Sequence, residues 1–248
     1  MGKVSTATLK RSIRYWLRHP PRQVCQVTDL RHVVCDGTFL EHRTGIYAMM
    51  NTTTRKLVHA AFDVPEGAQA LSALYRTLAA AGWSIQSATV DGNPQQIKYL
   101  RQVWPIITIQ RCIVHVQRQG LSWCRRYPKR TDVKHLRKIF LRLSAVTTFI
   151  QARQFVADCM AWEKRFGPAI DRSSDRGWVF SDLIRARSMV LKALPDLFHY
   201  ITNSNIPKST NLLENYFSRL KERYRRHRGL APHHRPAYFQ WYFYFVNH

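Results

Sequence analysis

The first half of the chain begins with short strand-like runs of apolar residues. Runs rich in β-branched and aromatic residues cover Val33 to Leu40, Tyr47 to Asn51 and Leu57 to Val64, and polar turn residues separate them. Because the connections are short, these three runs predict an antiparallel meander.

Helices and further strands follow this meander. Ala68 to Ala81 carries Ala and Leu at helical spacing and ends at Gly82, and Pro94 to Trp104 predicts a second helix. The segment Ser84 to Val90 is typical of a buried strand, and Ile106 to Val116 of a strand or of a passage from strand to helix. The predicted order β-β-β-α-β-α-β indicates an α/β fold.

The second half of the chain is predicted to be helical. Residues 117–200 show helical periodicity, with breaks predicted at Tyr127-Pro128 and Gly167-Pro168. A long helix is then predicted from about Asn211 to Arg228, ended by Gly229.

These patterns divide the chain into four segments. They are a basic N-terminal helix (1–31), the first part of a core unit (32–116), a helical insertion (117–205), and the final helix of the core with an aromatic tail (206–248). In the N-terminal segment Leu9, Ile13 and Trp16 share one helical stripe, and His19-Pro20-Pro21 ends the helix. This helix is either the remnant of a DNA-binding region or a packed amphipathic helix with a solvated basic face.

The charge of the chain points to its partner. Lys and Arg number 39 against 15 Asp and Glu, a formal net charge of +24 over 248 residues. Such self-repulsion disfavours a compact chain unless a polyanion neutralises it, so nucleic acid is the expected partner. The 45% content of hydrophobic residues excludes intrinsic disorder, and no apolar run approaches the roughly 18 residues that span a membrane.

The cysteines bear on the compartment. There are five, an odd number without a C-x-x-C pair, which fits a reducing compartment better than a secreted protein. Residues 1–22 also lack a secretory apolar core. We expect a cytoplasmic protein, associated with the nucleoid in a prokaryote.

Two aspartates stand out in so basic a chain. Asp36 interrupts the apolar run from Val33 to Leu40, where a buried carboxylate needs a cationic partner, and a hairpin turn at Asp36-Gly37 is the alternative. Asp91 follows the run Ser87 to Val90 at the carboxyl end of a strand, where open α/β sheets build their sites. An ordinary turn or a helix cap explains Asp91 equally well.

A glutamate begins the last predicted helix. Glu214 fits the third-position acid of a capping box that starts at Asn211. It also shares a helix edge with Ser218, Lys221 and Arg225 at helical spacing. One carboxylate therefore lies beside cations that are suited to holding phosphates.

Asp36, Asp91 and Glu214 together suggest metal chemistry. Three carboxylates from two strands and a later helix suit two divalent ions about 3.5 to 4 Å apart, one activating the attacking oxygen and one stabilising the leaving oxygen. Carboxylates are hard ligands, so the expected cofactor is a pair of Mg²⁺ ions, with Mn²⁺ as a substitute.

The ordered set of motifs resembles a known family. The motifs are Val33-Val34-Cys35-Asp36-Gly37-Thr38, Thr89-Val90-Asp91-Gly92, Cys112-Ile113-Val114-His115, Ser209 to Asn215 around Glu214, Arg219-Leu220-Lys221, and Arg225 to Leu230. Together they resemble the DDE transposases of the Mutator-like insertion-sequence superfamily, from about Val33 to Leu230.

This resemblance implies a fold and a reaction. The implied fold is RNase H-like (retroviral-integrase-like), a mixed sheet with a helical insertion before the final catalytic helix. Asp36, Asp91 and Glu214 would be the catalytic, metal-binding triad. The family cuts DNA at terminal inverted repeats and joins the 3′ hydroxyl to target DNA by in-line attack at phosphorus. The implied partners are therefore these DNAs and further copies of the chain, with no small-molecule substrate.

The resemblance also assigns Cys112 and His115 to the family's C-x-x-H motif. We expect this motif to support the active-site architecture or the bound strand. A zinc site that adds Cys124 and His135 is one alternative, and a packed Cys beside a hydrogen-bonded His is another. Relatives carry a longer N-terminal module for the repeat ends, so recognition here is expected to rest on the insertion and last helix, unless the copy is truncated or from a shorter branch.

Two basic groups are expected to contact DNA phosphates. The first follows Glu214 and comprises Arg219, Lys221, Arg223, Arg225, Arg226 and Arg228. The second comprises Arg125, Arg126, Lys129 and Arg130, beside Trp123 and Tyr127, whose rings are suited to stacking on an exposed base. A solvated helix face is the alternative for the first group, and the aromatic tail Tyr238 to Phe245 is expected in the core or at a dimer contact.

Three functions fit these observations. The favoured one is a DNA transposase, and its rivals are an inactive, transposase-derived DNA-binding protein and a structure-selective RNase H-like nuclease. Intact Asp36, Asp91 and Glu214 favour an enzyme, and a nuclease would cut DNA without joining it.

Overall fold

The computed structural model describes residues 4–21, 30–41, 44–65, 68–227 and 229–247. The strands within these ranges are β1 (His32–Glu41), β2 (Thr44–Asn51), β3 (Leu57–Pro65), β4 (Ser87–Val90) and β5 (Thr108–Arg111). The α-helices are α1 (Thr6–Arg18), α2 (Ala68–Ala80), α3 (Pro94–Val103), α4 (Ile113–Cys124), α5 (Thr131–Arg142), α6 (Phe149–Asp171), α7 (Trp178–Ala193), α8 (His199–Thr202), α9 (Asn211–Arg225) and α10 (Arg235–Asn247).

The five strands form one mixed sheet in the order β3-β2-β1-β4-β5. β1, β2 and β3 pair antiparallel, which confirms the predicted meander, whereas β4 and β5 run parallel to β1. β4 begins at Ser87 and not at the predicted Ser84, and the backbone N–H groups of Gln86 and Ser87 both donate to the carbonyl of Arg31 at its start. The fold is therefore α/β, as the sequence predicts.

The predicted alternative of a hairpin at Asp36-Gly37 is wrong. β1 continues through both residues, and Asp36 lies opposite Ala48 of β2. The strand reverses only beyond Glu41, which lies opposite Thr44. Because the residues after Gly37 still pair with β2, Asp36 and Gly37 do not form a turn.

The two faces of the sheet pack on different helices. On one face Val33 and Cys35 lie in a core with α2 and α3, and on the other Val34 lies in a core with α9 and α10. Because side chains alternate along a strand, Asp36 points to the same face as Val34. The Asp36 side chain is thus directed toward α9. The residue is buried, with a relative exposure of 7%.

The chain between β5 and α9 is helical and has its own core. This core is built around Leu136, Phe140, Phe155, Trp162 and Leu183. The predicted break at Tyr127-Pro128 is confirmed, since α4 ends at Cys124 and α5 begins at Thr131.

The predicted break at Gly167-Pro168 is wrong, because α6 continues to Asp171. Pro168 lies in the last turn, where its missing N–H removes one hydrogen bond from the helix. Gly167 allows the Glu163 and Arg187 side chains to pack directly over the helix, and these two residues form an ion pair. The tertiary contact outweighs the local signal.

Both terminal helices lie near one edge of the molecule. Phe239, Tyr242 and Phe243 of α10 are buried against the sheet, which confirms the core assignment for these three residues, whereas Tyr244 and Phe245 of the predicted aromatic tail are exposed. α1 has no buried residue, and it contacts α10 where the Trp241 indole donates to the carbonyl of Trp16 at 2.9 Å. None of the described helices is long and apolar enough to cross a membrane.

The insertion core makes a first testable prediction. A Cβ atom at Gly120 of α4 would lie 2.4 Å from the buried ring of Phe140. We expect Gly120→Ala to lower the free energy of unfolding by about 2 kcal/mol, because overpacking forces neighbouring side chains out of position. Urea unfolding measures the change. Ser122→Ala on the exposed side of α4 is the control, and an equal loss in both variants would contradict the prediction.

Candidate active site

Three neighbouring strands are in register at one edge of the sheet. Cys35 of β1 lies opposite Val90 of β4, which lies opposite Arg111 of β5. The next residues along the three strands are Asp36, Asp91 and Cys112. Neighbouring strands lie about 4.8 Å apart, so the register brings these three positions side by side.

Hydrogen bonds fix the segment that leads into α9 against this edge. The Thr89 hydroxyl donates to the carbonyl of Pro207 at 2.8 Å, and the Ile113 N–H donates to the carbonyl of Lys208 at 3.0 Å. The N–H of Thr210 lies 3.4 Å from the Cys112 Sγ. Glu214, in the first turn of α9, is thereby held over the ends of β4 and β5.

The Glu214 carboxylate accepts a hydrogen bond from the Thr210 hydroxyl at 3.2 Å. His115 Nε2 lies 3.7 Å from one of its oxygens and Arg118 Nη1 lies 4.0 Å from the other. The predicted capping box is wrong: the N-cap residue is Thr210, its side chain makes no cap hydrogen bond, and its N–H is directed to Cys112.

The pKa of Asp36 reflects its burial and the charges of the other two acids. Burial raises the pKa of the Asp36 carboxyl to about 7, and the charges of Asp91 and Glu214 act in the same direction. The N–H of Gly37, at 2.8 Å, and the nearby His115 oppose the rise in pKa. The ionised form of Asp36 is therefore disfavoured in this position, and a bound cation would favour it.

Asp36, Asp91 and Glu214 do not form a compact site for a single ion among the described residues. Among the described residues, no group with all oxygens within 4.8 Å of one another combines Asp36, Asp91 and Glu214. Ligands at the two ends of a two-ion site need not meet that limit, since each binds its own ion.

Asp91 makes a turn as well as lying at the site. Its Oδ1 accepts the N–H of Asn93 at 2.9 Å, and Gly92 between them has φ of +110°. Asn93, not Asp91, caps α3, so the predicted helix cap at Asp91 is wrong and the turn is right. The Arg111 guanidinium lies over Gly92, and its buried Nε has no hydrogen-bond partner among the described residues.

Cys112 and His115 form a polar pair at the start of α4. Burial opposes ionisation of the Cys112 thiol, but hydrogen bonds with His115 and Thr210 lower its pKa overall. The same interaction with Cys112 raises the pKa of His115 to about 9. The alternative zinc site with Cys124 and His135 does not form: Cys124 lies in the insertion core, and His135 Nδ1 bonds the carbonyl of Thr131.

The basic residues of α9 point in different directions. At about 100° per residue, Lys221 and Arg225 lie within about 20° of Glu214 around the helix axis, and Arg223 lies on the opposite side. Arg223 lies 5.6 Å from the ring of Tyr242 in α10. Lys221 and Arg225 therefore share the side of the candidate site.

The other basic residues predicted to contact DNA from α9 and the residues after it differ in their position and in their partners. Arg219 is exposed and lies about 140° from Glu214 around the axis. Arg226 is exposed and forms an ion pair with Glu222 at 2.6 Å. Arg228 lies outside the described residues. DNA binding by each of these residues stays a prediction.

Two of the four basic residues in the insertion make internal contacts. The Arg125 guanidinium lies 3.8 Å from the Trp178 ring and bonds Asp182 at 3.2 Å. Arg130 bonds Asp132 at 2.8 Å. Both side chains therefore have partners within the insertion.

The other members of this group face solvent. Arg126, Lys129 and Tyr127 are exposed, whereas Trp123 packs against the insertion core. A DNA surface here would therefore consist of Arg126 and Lys129 with the Tyr127 ring, and it stays a prediction.

Sequence reasoning gave no role to Thr210, Arg118 or Arg111. Thr210 stands inside a recognised motif, but its bond to Cys112, 98 residues away, leaves no local signal. The spacing of Arg118, one helical turn beyond His115, could have indicated a shared face. Arg111, next to Cys112 and only 8% exposed, gave no signal that its side chain lies over Gly92.

The model of the transposases of the Mutator family matches residues 49–238. The chain belongs to the Mutator family of transposases. The match includes Asp91, Cys112, His115 and Glu214, and it begins after Asp36. None of the curated proteins compared with this transposase matches it. Its family membership connects the chain with DNA transposition, in agreement with its net charge of +24.

Proposed function

We propose that this transposase cuts the ends of its element and joins the 3′ hydroxyls to target DNA by metal-dependent phosphoryl transfer. The observation that carries the proposal is the strand register that places Asp36 beside Asp91. Asp36 and Asp91 follow residues in register on neighbouring parallel strands, and the charges of Asp91 and Glu214 both act on the Asp36 carboxyl.

An RNase H-like fold is part of this proposal. The strand order β3-β2-β1-β4-β5, with an antiparallel meander and two parallel strands, supports it. So does the position of α9, which packs on the sheet face toward which Asp36 points. In this arrangement the helices between β5 and α9 are the insertion of such a fold.

The residues present fit two Mg²⁺ ions, with Mn²⁺ as a substitute. Carboxylates are hard oxygen donors, and burial together with the charges of Asp91 and Glu214 raises the pKa of Asp36, so a bound cation would favour its ionised form. Asp36, Asp91 and Glu214 would hold the ions. When bound, the ions supply activation of the attacking oxygen and charge stabilisation at the leaving oxygen.

The remaining residues of the site hold and orient these acids. Thr210 fixes one oxygen of Glu214, and Arg118 approaches the other. The Asn93 N–H fixes Asp91. Lys221 and Arg225 on the same side of α9 would bind backbone phosphates and direct the strand to the acids. Water and then the 3′ hydroxyl serve as nucleophiles, so no covalent protein intermediate is needed.

A strand-transfer assay tests the proposal. The full chain is incubated with linear element ends, a supercoiled target and Mg²⁺, and the products are separated on a denaturing gel. We expect nicked ends and joined products, both lost when EDTA removes the metal. Cutting without joining would identify a nuclease instead, and binding without cutting would identify an inactive DNA-binding protein.

The two sides of α9 give a matched comparison for DNA binding. We expect the double variant Lys221→Gln, Arg225→Gln to bind DNA roughly 30-fold more weakly at 0.15 M salt. Each phosphate contact that is lost leaves about 0.9 condensed counterion on the DNA, so the free energy of releasing that counterion no longer favours binding. The slope of log K against log salt should fall by about 1.8. Arg219→Gln with Arg223→Gln removes the same charge from other sides of the helix. Fluorescence anisotropy over a salt series measures both, and equal losses would contradict a directional phosphate surface.

A further inference from the structure

A sulfur, a nitrogen and an oxygen atom lie together beside the acids that are proposed to bind Mg²⁺. The Cys112 Sγ, a ring nitrogen of His115 and a carboxylate oxygen of Glu214 all lie within 4.8 Å of one another. In the part of the chain that the structure describes, this is the one group of three such donors. The Cys112 thiol is fully buried and forms no disulfide.

The N-termini of helices α4 and α9 position these three donors. Cys112 is the N-cap residue of α4 and His115 lies in its first turn, so both face the same side of the helix. Glu214 lies in the first turn of α9. The hydrogen bond between the Ile113 N–H and the Lys208 carbonyl, at 3.0 Å, fixes the start of α4 against the segment that leads into α9.

Thr210 links all three donor groups. Its fully buried hydroxyl lies 3.5 Å from Cys112 Sγ, 3.3 Å from His115 Nδ1 and 3.2 Å from the Glu214 carboxylate. A group that hydrogen-bonds the ligands of a metal ion fixes their orientation, and its loss weakens metal binding. The Thr210 N–H is directed to Cys112 Sγ at 3.4 Å, while the hydroxyl can donate its single hydrogen to Glu214 and accept one from His115 Nδ1.

The chemistry of the donors selects the ion. A thiolate and an imidazole are soft or borderline ligands that Mg²⁺ avoids and Zn²⁺ prefers. Three protein ligands, one each of sulfur, nitrogen and oxygen, also leave a fourth tetrahedral position open, as in catalytic rather than structural zinc sites.

We infer that Cys112, His115 and Glu214 form a binding site for one Zn²⁺ ion, separate from the Mg²⁺ ligands Asp36 and Asp91. Because Glu214 belongs to both sets, zinc withdraws one carboxylate from the acid trio and inhibits the Mg²⁺-dependent reaction. This inhibition rests on the proposed function, whereas the zinc site itself does not.

Cobalt spectroscopy of the full chain, without DNA or Mg²⁺, tests the site. Co²⁺ bound by a thiolate gives a near-ultraviolet charge-transfer band, and tetrahedral Co²⁺ gives strong visible bands. We expect both in the wild type, with loss of the ultraviolet band in Cys112→Ser and its retention in Cys124→Ser, which changes a buried thiol of the insertion core. Zn²⁺ should displace Co²⁺ and abolish the bands.

Variants of Thr210 separate a ligand-orienting role from a role in folding. Thr210→Val keeps the shape of the side chain and removes the hydroxyl, so Co²⁺ affinity should fall by about tenfold to a hundredfold. Thr210→Ser keeps the hydroxyl and should restore the affinity. Equal Co²⁺ affinity in both variants would contradict the orienting role.

Each result bears on one proposal. A wild-type protein without the ultraviolet band, or a band that survives in Cys112→Ser, would overturn the zinc site and leave the transposition proposal standing. A failure to cut DNA with Mg²⁺, in protein that shows the band, would overturn the proposed function and leave the zinc site standing.

Discussion

Asp91→Asn should abolish Mg²⁺-dependent cleavage while DNA binding is kept. Losing one carboxylate ligand removes several kcal/mol of transition-state stabilisation, and about 4 kcal/mol corresponds to roughly a thousandfold in rate. The substitution is nearly isosteric, and the new amide oxygen can still accept the N–H of Asn93 that now lies 2.9 Å from Asp91 Oδ1. The turn should therefore survive the loss of charge.

Single-turnover cleavage of labelled element ends measures the effect, and fluorescence anisotropy measures DNA binding in the same preparations. Asp158→Asn is the matched control, because Asp158 forms an ion pair with Arg142 in the insertion, away from the acid trio. Cleavage in Asp91→Asn at more than a tenth of the wild-type rate would remove Asp91 from the proposed metal site.

Gly92→Ala should damage both stability and activity. Gly92 has φ of +110°, and a Cβ there would lie 2.0 Å from the Arg111 guanidinium. Backbone strain of about 1 to 2 kcal/mol and overpacking of about 1 to 3 kcal/mol give an expected loss of roughly 3 kcal/mol in the free energy of unfolding. Cleavage should fall as well, because Asp91 moves with the turn.

Two other substitutions separate these causes. Gly82 has φ of +85° and nothing within 4 Å of its Cβ position, so Gly82→Ala reports the backbone cost alone. In an Arg111→Ala background the overlap disappears, and the cost of Gly92→Ala should fall to that of Gly82→Ala. Urea unfolding measures the four variants and the wild type, and a cost of Gly92→Ala that Arg111→Ala leaves unchanged would exclude the guanidinium as the obstacle.

The strand pattern and the acidic residues of the site were accessible from the sequence. Short strand-like runs with short connections predict the meander. Asp36 stands out because a buried carboxylate is costly unless something compensates it, and Asp91 because it follows the carboxyl end of a strand. What the pattern does not contain is the register that puts Cys35 opposite Val90. Register depends on pairing between residues that are far apart in the chain, and no local signal records it.

Local signals do not record contacts between residues that are distant in the chain. The Gly167-Pro168 pair predicts a break, but α6 continues to Asp171, and the Glu163–Arg187 ion pair packs over Gly167. Arg125 and Arg130 are predicted to contact DNA, and they bond Asp182 and Asp175, which lie 57 and 45 residues away; DNA binding by either residue stays a prediction. A single sequence cannot show which basic residues are already paired.

Hydrogen bonds from β4 and from the start of α4 hold the residues before α9 in place. These bonds determine when Asp36, Asp91 and Glu214 can come together. Thr89 holds Pro207 and Ile113 holds Lys208, and these pairs lie 118 and 95 residues apart in the chain. During synthesis the two aspartates emerge from the ribosome long before Glu214, and α9 can dock only after the whole insertion has been made. Translation products that end before residue 214 therefore lack Glu214, and under the proposed function they cannot assemble the metal site.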